Sequence, residues 1–391
     1  MQFIDYYNFL RSVFRPEEEK NIIPGSRTEI QFFLFSSPAE ITAETEMAQL
    51  IRKDYEGSEG DQLILENHTF YYPVFLPAGA KSSDSAILLL HGLNERKWDK
   101  YLTWAQYLVE QTGKAVILFP TSFHINRGPS KWFDPRKLSE MVDERKKKYE
   151  GVEESTFANY MLSERLTDCP ERFFLSGLET ANDLVSLLRM INLGNHPLFK
   201  PDTRVDLFAY SIGGLLGQVL KMANPEGLLD NSKLFLFCAG SVFQEMNGVS
   251  KVIMDSKAND RIHHYYEFEM EEQIGTPGML QDFFHESRIA QAFRSMIAFH
   301  RHRKEREEKL SSMASQVYAI GLRDDKVIPS LKILETLTAG GRFSRPKMDI
   351  LHFDYPYIHE MPFPVKIQGI EEKVNEAFQL IFGRAAAFLA G

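Results

Sequence analysis

The chain has 391 residues, of which 43% are hydrophobic and 25% charged, with a formal net charge of −9. These values fit a soluble globular protein with a sizeable core. The acidic balance argues against a nucleic-acid binder, whose surface carries a basic patch.

The N-terminus, "MQFIDYYNFLRSVFRPEEE", has no basic start, no long apolar stretch and no small-residue cleavage site. No signal peptide is therefore expected. No window approaches the roughly 18 apolar residues that span a bilayer, so the expected location is cytoplasmic. "IDYYNFLRSVF" has the look of an aromatic-rich helix and "TEIQFFLFSS" of a strand. "AEITAETEMAQLIRKDY" has helical spacing, and "QLILENHTFYYPVFLP" suggests two short strands with a turn near Asn67. Residues 1–60 are taken as an N-terminal extension.

From Ala86 the pattern changes. "AILLLHG" and "KAVILFP" are short apolar runs, separated by a helical segment that stops at Gly113. The helical "ERFFLSGLETANDLVSLLRMINLG" again ends in Gly. "RVDLFAYS", "KLFLFCAG", "QVYAIGL" and "KMDILHFDY" are further strands, and "IGGLLGQVLKMA", "SLKILETLTAGG" and "EKVNEAFQLIFGRAAAFL" are helices. Short apolar strands alternating with helices predict a mostly parallel sheet covered on both faces. Residues 121–170 and 241–315 interrupt this rhythm. The first reads as polar and irregular, with Arg145-Lys146-Lys147-Lys148 on a solvated helix face. The second reads as an inserted helical cap with a turn at "GTPGM". Both follow strand carboxyl ends, the edge where open α/β sheets bind ligands. The core is then residues 61–240 and 316–391.

Two cysteines, Cys169 and Cys238, allow no disulfide framework and no C-x-x-C pair. The histidines outside the last strand and its loop fit no metal pattern, and no metal is expected. Cys238 lies in an apolar run and reads as a small buried hydrophobe.

The chemistry-bearing stretch is Ala209-Tyr210-Ser211-Ile212-Gly213. It stands where a G-x-S-x-G nucleophile elbow would, between an apolar run and a helix. The residues two before and two after the serine approach closely in such a turn, so both must be small. The helix N-terminus and the N–H of Ile212 would then face negative charge forming on a substrate oxygen. A dinucleotide-binding turn is the competing reading. G-x-G-x-x-G is not met, and the next strand lacks a ribose-binding acid.

On these residues the chain resembles the α/β-hydrolase superfamily over roughly residues 60–391. The resemblance implies a mostly parallel central sheet flanked by helices, and the chain order oxyanion loop, nucleophile, acid, histidine. It implies an oxyanion loop at His91-Gly92-Leu93-Asn94, with the Leu93 and Ile212 N–H groups as donors and Asn94 as a further side-chain donor. It implies an acid in "GLRDDKVIP". Spacing from Gly321 points to Asp324 and spacing back from Pro329 points to Asp325; Asp324 is preferred. It implies a base in "KMDILHFDYPYIHEMPFP", where His352 lies within the strand pattern and His359 in the loop before the last helix. His359 is taken as the base.

The loop "FPTSFHINRGPSKWFDP" would border the site. His91, His124, Arg127, Trp132 and Tyr210 are candidate substrate contacts, with Arg127 available for a carboxylate or phosphate. The expected function is a serine hydrolase of carboxylic esters working through an acyl-enzyme, with no cofactor and a small-molecule ester or acyl partner. The alternative is a non-catalytic relative that binds or scaffolds.

Overall fold

The computed structural model describes residues 2–38, 61, 63–342 and 346–391. The expected helix "AEITAETEMAQLIRKDY" lies outside the described residues.

The chain begins with α1 (Phe3–Val13) and the strands β1 (Lys20–Ile22), β2 (Thr28–Ser36), β3 (Thr69–Pro77) and β4 (Ser83–Leu90). Next come α2 (Asp99–Thr112), β5 (Ala115–Leu118), α3 (Pro135–Lys148), α4 (Tyr160–Asp168) and α5 (Glu171–Asn192). Then follow β6 (Phe199–Tyr210), α6 (Ile212–Ala223) and β7 (Leu234–Phe237). A helical stretch holds α7 (Ser256–His264), α8 (Met270–Gly275), α9 (Met279–Glu286), α10 (Arg288–Ser295) and α11 (Arg303–Ser312). The chain closes with β8 (Val317–Leu322), α12 (Ser330–Thr338), β9 (Lys347–Leu351) and α13 (Glu371–Ala390).

The strands form one sheet in the order β1-β2-β3-β5-β4-β6-β7-β8-β9. From β5 to β9 all neighbours are parallel, and β1, β2 and β3 are antiparallel to their neighbours. Strand alternation explains the two layers, since successive side chains point to opposite faces. Leu88, Leu90, Leu207 and Ala209 face α5 and α6 in one core, whereas Ile87, Leu89, Phe208 and Tyr210 face α2 and α13 in the other.

Each of the six apolar runs expected after Ala86 is a strand. In the described part of residues 1–60, β2 pairs with β3 along its whole length and continues the core sheet. "QLILENHTFYYPVFLP" also differs from two strands and a turn. Leu65–His68 is one helical turn, after which a single strand runs to Pro77. Asn67 is buried because its side chain accepts from Phe123 N and Arg127 Nε. Residues 121–170 are less irregular than their polarity suggests, for they hold α3 and α4. Within the basic run Lys146, Lys147 and Lys148 are solvated, but Arg145 is buried against Asp255, 2.6 Å away. Gly113, at φ 71°, ends α2 in a left-handed turn that suits glycine. Among the described residues no helix is long and apolar enough to cross a membrane.

Candidate active site

Sheet order places the site. β4 pairs with both β5 and β6, so the winding reverses there, and a crevice opens at the carboxyl ends of these strands. The register Leu90↔Ala209 sets His91-Gly92 beside Tyr210-Ser211. Ser211 has φ 58° and ψ −129°, a strained backbone for a non-glycine residue, and its side chain is buried at the corner between β6 and α6. The neighbours must be small. A Cβ on Gly213 would lie 2.6 Å from the Leu90 carbonyl oxygen, and one on Gly214 would lie 2.3 Å from the Ala239 Cβ. Ser211 stands at the N-terminus of α6, whose first N–H groups have no partner within the helix.

His359 Nε2 lies 2.6 Å from Ser211 Oγ, and His359 Nδ1 lies 2.7 Å from Asp325 Oδ2. His359 sits in a tight turn closed by Met361 N donating to the Ile358 carbonyl. Asp325 Oδ1 accepts from the backbone N–H groups of Val327 and Ile328, both at 2.9 Å, which fixes the carboxylate. The preferred Asp324 is displaced from this position. Its side chain is 55% exposed and lies 3.2 Å from His352 Nδ1, whereas that of Asp325 is 1% exposed. The turn after β8 aims alternate side chains in opposite directions, and only the second aspartate faces inward.

The residues of the loop after β4 divide. Leu93 borders three adjoining cavities, together with Phe173. Asn94 is no side-chain donor to the site. Its Nδ2 donates to the carbonyls of Ala158 at 2.8 Å and Val252 at 2.6 Å, tying the loop to both insertions. His91 is buried and structural. Its Nε2 accepts from Thr121 N at 2.9 Å, so its Nδ1–H donates to the Gly92 carbonyl at 2.8 Å. Burial, with His124 close by, pushes its pKa down to about 3. Gly92 N donates to the Tyr101 hydroxyl, which donates to Glu95. Lys100 binds Glu95 at 2.5 Å and the Glu360 carbonyl at 2.8 Å. This brace joins the Gly92 loop to the His359 loop. Lys100, Tyr101 and Glu95 carry no motif, which is why the sequence did not single them out.

The remaining candidates are distributed as follows. His124 and Trp132 line the cavities, and burial holds the His124 pKa down at about 4. Arg127 does not line them. It is fully buried, lies 2.8 Å from Asp183, stacks over Phe70 and donates to the Asn67 and Pro120 carbonyls. It pins the long loop to α5, and its full burial keeps it away from a substrate anion in the cavities. Tyr210 is buried beneath His359 rather than facing a ligand.

Cys238 was missed as a neighbour of the site. It follows β7, and its Sγ groups with donor atoms of Asp325 and His359, all within 4.8 Å of one another. Burial, with the Asp325 carboxylate adjacent, holds its thiol well above the usual range, so it stays neutral. The Asp325 and His359 atoms of this cluster are already bonded to each other.

The arrangement of the sheet, the sharp Ser211 corner after β6 and the covering helices define the α/β-hydrolase fold. A solved structure of a serine-to-alanine mutant of the esterase Est22 shares it, with a TM-score of 0.51 at 13% identity over 99% of this chain and 86% of that one. A thermostable esterase from Pseudomonas putida ECU1011 aligns with a TM-score of 0.44 at 10% identity, over 98% of this chain and 87% of the other. No curated protein sequence matches the chain. The chain belongs to the family of unknown function DUF6051, whose model matches residues 1–390.

Proposed function

We propose that the protein is a serine hydrolase that cleaves carboxylic esters through Ser211, His359 and Asp325. The supporting observation is the pair of contacts at 2.6 Å and 2.7 Å that link hydroxyl, imidazole and carboxylate. His359 Nε2 takes the Ser211 proton as Oγ attacks the ester carbonyl carbon. The Asp325 carboxylate accepts the Nδ1–H, fixes the tautomer and stabilises the imidazolium. The backbone N–H groups of Leu93 and Ile212 hold the tetrahedral oxyanion. Imidazolium then protonates the leaving alkoxide as the C–O bond breaks. Water, deprotonated by the same imidazole, releases the carboxylic acid from the acyl-enzyme. No step draws on a cofactor.

The test is hydrolysis of 4-nitrophenyl butyrate by the wild type, Ser211→Ala and His359→Ala, each checked for folding by circular dichroism. The reading expects turnover only in the wild type. Turnover retained in folded Ser211→Ala removes Ser211 as the nucleophile, and none in the folded wild type favours the binding or scaffolding alternative.

A further inference from the structure

The largest of the three cavities that meet at Leu93 spans about 650 Å³, counting space open to solvent, and has no Asp, Glu, Lys or Arg in its wall. Its walls are α5 (Phe173, Phe174, Gly177, Ala181) and α6 (Ile212, Leu215, Leu216, Val219), closed by Ile289 and Phe293. The one titratable side chain there, His124, is neutral at ordinary pH. From Ile212 to Val219 the wall runs seven residues along a helix, about 10 Å at 1.5 Å per residue. An unbranched apolar chain fits that length, and a charged group finds no partner in it.

The side of the ester that enters is set by the proton donor. The leaving group must lie within reach of His359, which follows β9, next to Asp325, which follows β8. The smaller cavity of about 400 Å³ lies on that side, bordered by Ser211, Val327 and Ile328. The 650 Å³ cavity lies on the opposite side, between the β5 loop and α5, next to Ile212. The acyl group therefore points into it.

One wall residue stands out. Gly177 is in the interior of the 22-residue helix α5, where glycine is unfavourable relative to alanine. It has ordinary negative φ, so no backbone requirement explains it, and a Cβ built on it meets nothing within 4 Å. The helix forgoes a side chain at a position where one would project into the open chamber.

Resting on the serine-hydrolase reading, we propose that the substrates are esters of unbranched apolar acids of medium chain length, and that Gly177 keeps the chamber open to the acyl chain and sets its length limit.

The experiment compares kcat/KM for 4-nitrophenyl acetate, butyrate, octanoate and dodecanoate in the wild type, Gly177→Ala and Gly177→Leu. The wild type is expected to prefer octanoate over acetate by at least roughly tenfold, since each buried methylene adds discrimination. Gly177→Leu is expected to lower the octanoate-to-acetate and dodecanoate-to-acetate ratios of kcat/KM by at least roughly tenfold, with Gly177→Ala between them. Both new residues are better helix formers than glycine, and circular dichroism checks that the variants fold. A wild-type profile that is flat or falls with chain length overturns the proposal, as does an equal loss on all four esters in Gly177→Leu. Failure to hydrolyse any ester, with Ser211 unlabelled by a fluorophosphonate, overturns the serine-hydrolase reading and this one together.

Discussion

The Tyr210 hydroxyl donates a hydrogen bond to the carbonyl oxygen of His359, and the two rings lie nearly parallel, 15° apart with centroids 5.5 Å apart. The residue before Ser211 thus holds the loop that carries His359. This is a structural use of a side chain whose position beside Ser211 suggests a substrate contact. Lys100 reinforces it from above the Tyr210 ring, 5.0 Å from the centroid, while binding the next carbonyl along.

Tyr210→Phe keeps the ring and removes the donor. A buried carbonyl left without its partner costs about 1–3 kcal/mol. The expected result is a lower unfolding midpoint and a lower kcat at little changed KM, because the imidazole loses its fixed position while the pocket walls remain. Urea denaturation and steady-state kinetics on one ester check both.

Asp325→Asn and Asp324→Asn separate the two neighbouring aspartates. The first leaves an amide against His359 Nδ1 and is expected to lower kcat by roughly three to four orders of magnitude, the scale seen when a triad carboxylate becomes an amide. The second removes only an exposed contact with His352 and is expected to change kcat less than about twofold. Equal losses in both would contradict the assignment.

Arg127→Ala tests the buried pin. Removing one partner of a buried ion pair leaves the Asp183 charge unpaired and costs on the order of 3–5 kcal/mol. Thermal unfolding is expected to fall sharply, while the ratio of activities on neutral and anionic esters stays unchanged. A selective loss on anionic esters would restore Arg127 as a substrate contact.

Acid sensitivity follows from three buried histidines. Burial is the main cause that holds His91 at about 3 and His124 and His196 at about 4. His196 is fixed as a neutral ring, accepting from Leu198 N at Nδ1 and meeting the Tyr72 hydroxyl at Nε2. An unfolded histidine titrates near 6.5. Between about pH 6.5 and about pH 4 the unfolded chain binds these protons and the native chain does not. Stability is therefore complete above that window and falls as pH drops through it, on the order of 1 kcal/mol per pH unit for each histidine. Urea midpoints measured from pH 7 to pH 4.5 check the slope (about one proton shallower in His124→Gln).

The parts of the site that were legible in the sequence are those fixed by local sterics. Ser211 requires small residues at fixed offsets, and each of the six apolar runs after Ala86 forms a strand. The parts that were not legible depend on partners far along the chain. Nothing near Arg127 announces Asp183, and nothing near Asn94 announces the carbonyls of Ala158 and Val252. Asp324 and Asp325 differ only in which way one turn aims them, and a register of one residue lies below what spacing rules resolve. Gly177 did leave a signal, a lone glycine within a helical run, but its meaning needed the cavity beside it.

Intact-protein mass spectrometry after treatment with a fluorophosphonate tests the central claim most directly. The account predicts a single phosphonyl adduct, mapped to the peptide containing Ser211, abolished in Ser211→Ala and strongly slowed in His359→Ala. A well-folded wild-type chain that takes up no adduct, or one modified at another residue with Ser211 untouched, would contradict it.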